Sequence, residues 1–512
     1  MLTNFQDVAN QFKSFDGTAH SGHINSGGIR DLYDEKFLLW KKRRVPFIKP
    51  IPIFGNMFDV CRWETTIGEF CQSVYEKTSE PFIGFFILDE PCLLVNDLDL
   101  IKNILIKDFE YFLNRTMANN DKTDGVGSNI LFLMKTPKWT NVRRKMTPAF
   151  SSGKLKLMLK LMLEGGEQLV EYLNEMTKHN RILEAREICA KFTTNTITST
   201  SFGLEANCFN EENSPFRVVA RRLYNWKMTW HAIQTTCFFL APKLVKLFRM
   251  QFIDTFSSNF FRNVFWKTMN ERMHQKLIRN DLLDILIEMR KQDEVEDVDT
   301  LEGDILVAQA AQFFIAGFET TSSTMSFALL ELAQRPDIQT KLRKEITDTK
   351  KLHGSFSYES LQAMEYLENT ILETLRKYPI VPFLDRRCTK RYKIPGHDLV
   401  LEKGDMIYVP TMGIHNDPNY YPNPKQFDPD RFNKRNLEKR HNMTYLPFGD
   451  GPRNCIGKRF ALLNAKSGLA HLLSNYEVRI CDRTEKHMKL DPRGFLLQPD
   501  KGIYLEFIKT KE

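Results

Sequence analysis

The sequence predicts a mainly helical fold with small β-sheets, built as one large domain. Long apolar-periodic segments, including residues 301–334 and 364–378, keep the helical repeat, whereas the β-like stretches 82–95 and 405–410 are short. A length of 512 residues with 42% apolar content can bury a large core. Length alone allows about three domains. Yet Pro, Gly and Ser form no long flexible run after about residue 30, and no repeat period is apparent, so one domain is the reading.

Taken in order, residues 1–36, with His20-Ser21-Gly22-His23-Ile24-Asn25-Ser26-Gly27-Gly28, are polar and aperiodic. They are expected to form a disordered or loosely attached tail lacking a membrane anchor; the two histidines read as incidental. Residues 37–512 are expected to form the folded domain. Prolines 46, 50 and 52 impose an extended path into it. Pro137 opens a helix over 138–145, with Trp139 and Arg143 four apart on one face. The acidic run 293–299 is read as a solvated loop complementing the positive end of the helix that follows. Within that helix, Ala316-Gly317-Phe318-Glu319-Thr320-Thr321 contains poor helix formers. The Thr320 hydroxyl is expected to bond the Ala316 carbonyl, opening a groove where Gly317 has no side chain, a space that suits dioxygen.

A net charge of +8, from 72 basic and 64 acidic residues, is modest and does not imply nucleic acid. Nine cysteines without a C-x-x-C pair, and no apolar signal segment, point to a reducing compartment. Lys138, Arg143, Arg144 and Lys145, with Lys458, Arg459 and Lys466, suit either an acidic electron donor or ordinary solvation.

The most informative segment is Phe448-Gly449-Asp450-Gly451-Pro452-Arg453-Asn454-Cys455-Ile456-Gly457. It sets one cysteine in a turn-rich loop before a helical pattern starting near Arg459, whose positive end favours a thiolate; a metal would complete the deprotonation. Glycines 449, 451 and 457 are expected to let the backbone approach a flat ligand. A phosphate loop is excluded: five residues separate Gly451 from Gly457 where four are needed, and Lys458 is followed by arginine. No dinucleotide fingerprint occurs elsewhere, so reducing equivalents need a partner.

The pattern F-x-x-G-x-R-x-C-x-G in this segment resembles the haem-binding loop of the cytochrome P450 superfamily. Chance would produce it about once in ten thousand chains of this length. The resemblance covers nearly everything from residue 37 onward and implies the P450 fold, haem b with Cys455 as axial thiolate, and oxygen activation. It makes Phe448 and Gly457 part of the haem cradle. It places Trp139, Arg143, Arg115, Arg386 and Arg453 near the haem propionates, as donors suited to carboxylates. It gives Thr320 the ordering of water beside oxygen and Glu319 the link to bulk protons, flanked by Ala316 and Gly317. It also implies a structural triad, Glu373 with Arg376 and Arg431, serving folding and haem retention. His415 is read as structural.

The resemblance puts the substrate pocket against the central helix, the loop after Arg115, the stretch 216–239, residues 381–384 and the turn at Phe495-Leu496. These are apolar or aromatic and favour lipophilic substrates. Residues 237–248 mix bulky apolar side chains with lysines and suit dipping into a membrane surface. Residues 146–155 and 316–321 are similar to insect microsomal members that oxidise plant toxins and insecticides. Such members imply NADPH delivered through NADPH-cytochrome P450 reductase, with cytochrome b5 as a further donor, at the cytosolic face of the endoplasmic reticulum. A haem-thiolate isomerase or dehydratase, and a noncatalytic haem or ligand-binding relative, are the alternative classes.

Overall fold

The computed structural model of the protein describes residues 36–225, 227, 229–296, 301–486 and 488–510. The expected tail, except Lys36, lies outside the described residues. The strands that frame the fold are β1 (Phe82–Ile87), β2 (Glu90–Val95), β3 (Ile182–Glu184), β4 (Leu384–Arg387), β5 (Met406–Val409), β6 (Tyr476–Ile480) and β7 (Tyr504–Lys509). The helices that build the site are α1 (Lys138–Met146), α2 (Ser152–His179), α3 (Ala185–Phe202), α4 (Thr229–Leu240), α5 (Gly303–Ala333), α6 (Glu365–Lys377) and α7 (Lys458–Asn475).

Four strands form one sheet in the order β1-β2-β5-β4, with β2 parallel to β5 and the other pairs antiparallel. Every residue of β1 is buried, as its unbroken apolar sequence requires. Gly84 lets Trp40 lie on the strand, since a Cβ there would sit 2.6 Å from the indole. A second sheet runs β3-β7-β6.

α5 is apolar on nearly all faces and is accordingly buried along most of its 31 residues. It packs against α3, α6 and α7. The threonine-rich α3 tolerates burial because Thr194, Thr196 and Thr200 donate to carbonyls four residues back, at 2.6, 3.0 and 2.7 Å. The acidic run departs from the expected loop. Residues 293–296 continue the helix Leu282–Glu296, and 297–300 lie outside the described residues.

The expected triad forms. Arg376 grips Glu373 with two bonds of 2.7 and 2.9 Å, the Asp428 N–H donates to the same carboxylate at 3.0 Å, and Arg431 Nε lies 3.5 Å away. Burial pushes the Glu373 carboxyl up, and the Arg376 and Arg431 charges oppose that shift. His415 is structural, as expected. Its Nδ1 faces the Arg376 carbonyl at 3.1 Å, and its Nε2 accepts from the Leu446 N–H at 2.9 Å. A carbonyl accepts and an N–H donates, so the proton sits on Nδ1. This one imidazole joins the triad to the chain leading into the cysteine loop.

Candidate active site

The loop that carries Cys455 is shaped by its own backbone. The Cys455 N–H donates to the Phe448 carbonyl at 2.8 Å, and the Asn454 N–H donates to the Gly451 carbonyl at 3.0 Å. Gly449 and Gly451 have φ of +65° and +73°. The three glycines do not share the expected purpose. A Cβ on Gly451 would lie 1.9 Å from the Leu105 carbonyl oxygen, so that glycine serves packing behind the loop. Gly449 and Gly457 border the cavity instead, and Gly457, with φ of −91°, is the N-cap of α7. Lys458 opens α7, so the helix N-terminus follows the thiol directly.

Cys455 is exposed, because it opens into a cavity of about 340 Å³ deep in the molecule. Burial pushes the thiol up, while the Gly457 N–H and the Arg143 and Lys458 charges pull it down. Ala316, Gly317 and Thr320 of α5 line the same cavity. The Thr320 hydroxyl donates to the Ala316 carbonyl at 2.6 Å, as expected. Gly317 corrects the expectation of a groove made by its missing side chain. A Cβ there would lie 2.6 Å from Ile197 Cδ1 of α3, so its smallness admits the neighbouring helix. Glu319 does not line the cavity. It turns to α3, where Arg186, Gln498 and Ser323 donate to its Oε1 at 2.7, 2.8 and 3.2 Å. Its Oε2 has no partner among the described residues.

At the cavity edge the chain gathers cations. Arg115 pairs with Asp385 at 3.2 Å and Lys135 donates to the carbonyls of Arg115 and Met117. Arg453 donates to the Leu113 and Met134 carbonyls at 2.6 and 3.1 Å and lies 4.0 Å over the Trp139 ring. Arg386 is buried, with its Nε unpartnered. Thus Arg115, Lys135, Arg386 and Arg453 surround one carboxylate. Burial, then the Arg115 charge, pulls Arg453 down to about 8 and Arg386 to about 9. A guanidinium does not readily give up its proton, so these shifts express unneutralised charge that a dianionic ligand relieves.

These observations decide what family the sequence and fold fit. A sequence model described as Cytochrome P450 matches residues 45–507. The chain belongs to the cytochrome P450 family. It is similar to Cytochrome P450 6k1 of Blattella germanica, with 37% identity covering 93% of this chain and 94% of that protein. It is likewise similar to Cytochrome P450 6j1 of the same insect, at 38% over 92% and 94%. Cytochrome P450 6a2 of Drosophila melanogaster is 39% identical over 93% of this chain and 96% of its own length. A cytochrome P450 is a haem monooxygenase with a cysteine thiolate on iron, and the thiol, the apolar cavity and the cationic edge of this P450 fit that group.

Several sequence expectations shift in detail. Arg143 of the P450 lines the cavity, but its guanidinium is held by the Asn454 carbonyl and side chain at 2.9 and 2.8 Å. Arg386 stands behind the cavity wall. Lys466 is not part of a basic surface: it is buried and bonds Glu368 at 2.6 Å. Phe216 packs with Phe202, Phe260 and Phe314 away from the cavity. The wall does include Phe132, Phe239, Val381, Leu384, Phe495 and Leu496, as expected, with Gln309 and Gln312 on the central helix, and also Phe252 and Ile253, which sequence reading missed. Asp385, Lys135, Asn454, Arg186 and Gln498 were missed too; the adjacency of Asp385 to Arg386 was the one local signal available.

Proposed function

We propose that this P450 inserts one atom of dioxygen into a lipophilic substrate, a xenobiotic or an endogenous lipid, with electrons from NADPH through NADPH-cytochrome P450 reductase. Lys138, Arg144 and Lys145 form a basic surface for that donor, with cytochrome b5 as a second. One observation carries the reading: Cys455 and Thr320 face one apolar cavity whose edge holds excess positive charge.

In this reading Cys455 would bind the haem iron, Phe448 and Gly457 would cradle the ring, and Trp139, Arg115 and Arg453 would hold the propionates, with the Arg386 charge behind them and Arg143 bracing the cysteine loop through Asn454. The haem, when bound, supplies dioxygen activation, which a thiolate ligand favours. The protein supplies binding and protons. Thr320 donates to Ala316, so its oxygen retains lone pairs that accept from a water in the cavity. Glu319, held behind Thr320 by Arg186, Gln498 and Ser323, would link that water to bulk protons by turning its carboxylate toward Thr320. Apolar walls exclude other water, which limits escape of hydrogen peroxide.

We place the protein on the endoplasmic reticulum membrane, at its cytosolic face. Leu247 and Phe248 are 71% and 62% exposed beside Lys243 and Lys246, which favours contact with an anionic lipid surface. Among the described residues no helix is long and apolar enough to cross a membrane.

The test is a reduced carbon-monoxide difference spectrum, then turnover with reductase. A long-wavelength thiolate band, lost in Cys455→Ser, and NADPH consumption with a lipophilic panel are expected. Thr320→Ala should raise peroxide and lower product at least tenfold; unchanged product with an intact band would falsify the proton role.

A further inference from the structure

One polar feature of the cavity wall is unused by the oxygen chemistry. Gln312 and Gln309 stand one and two turns before Ala316 on α5, and both line the cavity. The Leu131 N–H donates to Gln312 Oε1 at 2.6 Å, Gln312 Nε2 donates to Gln309 Oε1 at 2.7 Å, and Gln309 Nε2 donates to the Asn129 and Ile305 carbonyls at 3.1 and 2.8 Å. The orientation of each amide follows from its partners. A backbone N–H can only donate and a carbonyl can only accept, so neither side chain can be reversed without losing bonds.

Each amide nitrogen carries two hydrogens. Gln309 uses both and is fully buried. Gln312 uses one; the other has no acceptor among the described residues, and the side chain keeps contact with the cavity. Ile130, Phe132, Phe239, Ile253 and Phe313 make the surrounding wall apolar. A donor without a partner in such a wall is satisfied by a ligand oxygen.

We propose that Gln312 determines specificity: its second amide hydrogen anchors a carbonyl or ether oxygen on an otherwise lipophilic substrate. The inference rests on the monooxygenase reading of the same cavity. Gln312 precedes Ala316 by four residues, about 6 Å along the helix axis. Substrates so anchored present to the oxygen site a carbon at about that distance from their acceptor. The opposite edge of the same amide holds Leu131, so anchoring and loop positioning must be measured separately.

The experiment titrates the full-length holoprotein with 2-decalone and with decalin, one skeleton with and without a carbonyl, by the haem spin-state change. The readout is the ratio of the two dissociation constants, because a loosened loop weakens both ligands alike. Gln312→Glu keeps an oxygen for the Leu131 N–H and removes both amide hydrogens. It is expected to cost the ketone about tenfold in affinity relative to decalin. A ratio unchanged in Gln312→Glu overturns the proposal. If that variant takes up no haem, Gln312→Met carries the same expectation. The wild type gives an independent answer: the bound ketone's carbonyl stretch is expected below its frequency in hexane, and an unshifted band overturns the anchor. A wild type with the thiolate carbon-monoxide band but no ketone effect refutes the anchor alone. A wild type without that band refutes the monooxygenase reading.

Discussion

Arg186 Nη2 of α3 lies 2.7 Å from Glu319 Oε1 of α5, joining a half-buried guanidinium to a buried carboxylate that sits behind the cavity wall. On the proposed monooxygenase reading, Arg186 is a positioning residue for the proton step. Arg186→Leu strands a buried charge and should destabilise the fold by roughly 3–5 kcal/mol. Arg186→Lys keeps the charge but replaces the planar guanidinium, whose Nη2 bonds Glu319, with a more mobile point charge. It should retain most of the stability while product formed per NADPH falls severalfold and the solvent isotope effect on turnover changes. Equal coupling in Arg186→Lys and wild type would remove Arg186 from proton supply.

The cation cluster predicts haem dependence. Arg453→Leu removes the most strongly depressed guanidinium and its bonds to the Leu113 and Met134 carbonyls. Haem content, read from the ratio of Soret to protein absorbance, should fall by more than half. Asp385→Asn removes the cluster's one carboxylate. It should leave the apoprotein less stable than wild type, with haem binding recovering part of the loss, and a thermal melt with and without added haem measures both.

The buried triad predicts a folding defect and not a catalytic one. Glu373→Gln leaves Arg376 buried without its countercharge, at a cost of roughly 3–5 kcal/mol. Soluble, haem-loaded protein should drop steeply, and whatever fraction folds should turn over at the wild-type rate per haem.

His415 predicts acid sensitivity. Burial, then the Arg376 charge, pulls its pKa from 6.5 down to about 3. Below pH 6.5 the unfolded chain binds a proton that the folded imidazole refuses until about pH 3. Stability is therefore fully present above 6.5 and is lost on acidification by up to about 1.4 kcal/mol per pH unit. Burial lowers His471 to about 4, so it adds to the same window. The thermal midpoint should fall from pH 7 to pH 5, and His415→Gln, although less stable at pH 7, should show a shallower fall.

What the sequence made legible was local. The cysteine loop, the Thr320 bond to Ala316 and the pairing of Glu373 with Arg376 each lie within about one turn of helix or loop, where residue spacing dictates geometry. The second-arginine contact came through likeness of pattern. Asp385 meeting Arg115, Arg186 meeting Glu319 and Gln312 meeting Leu131 join segments 133 to 270 residues apart. No periodicity encodes such meetings. Gly317 shows the same limit, since its small size answers to Ile197 on another helix and not to its own.

The four-stranded sheet has a temporal consequence. β2 ends at Val95, yet its parallel partner β5 begins at Met406, and the cations gathered beside that sheet run from Arg115 to Arg453. During synthesis the early strands must wait for more than half the chain before their edge is covered. The ligand loop emerges later still. Haem loading thus belongs to the final stage of biogenesis, and nascent chains stalled before residue 455 expose a sticky, cofactor-free intermediate that chaperones must protect.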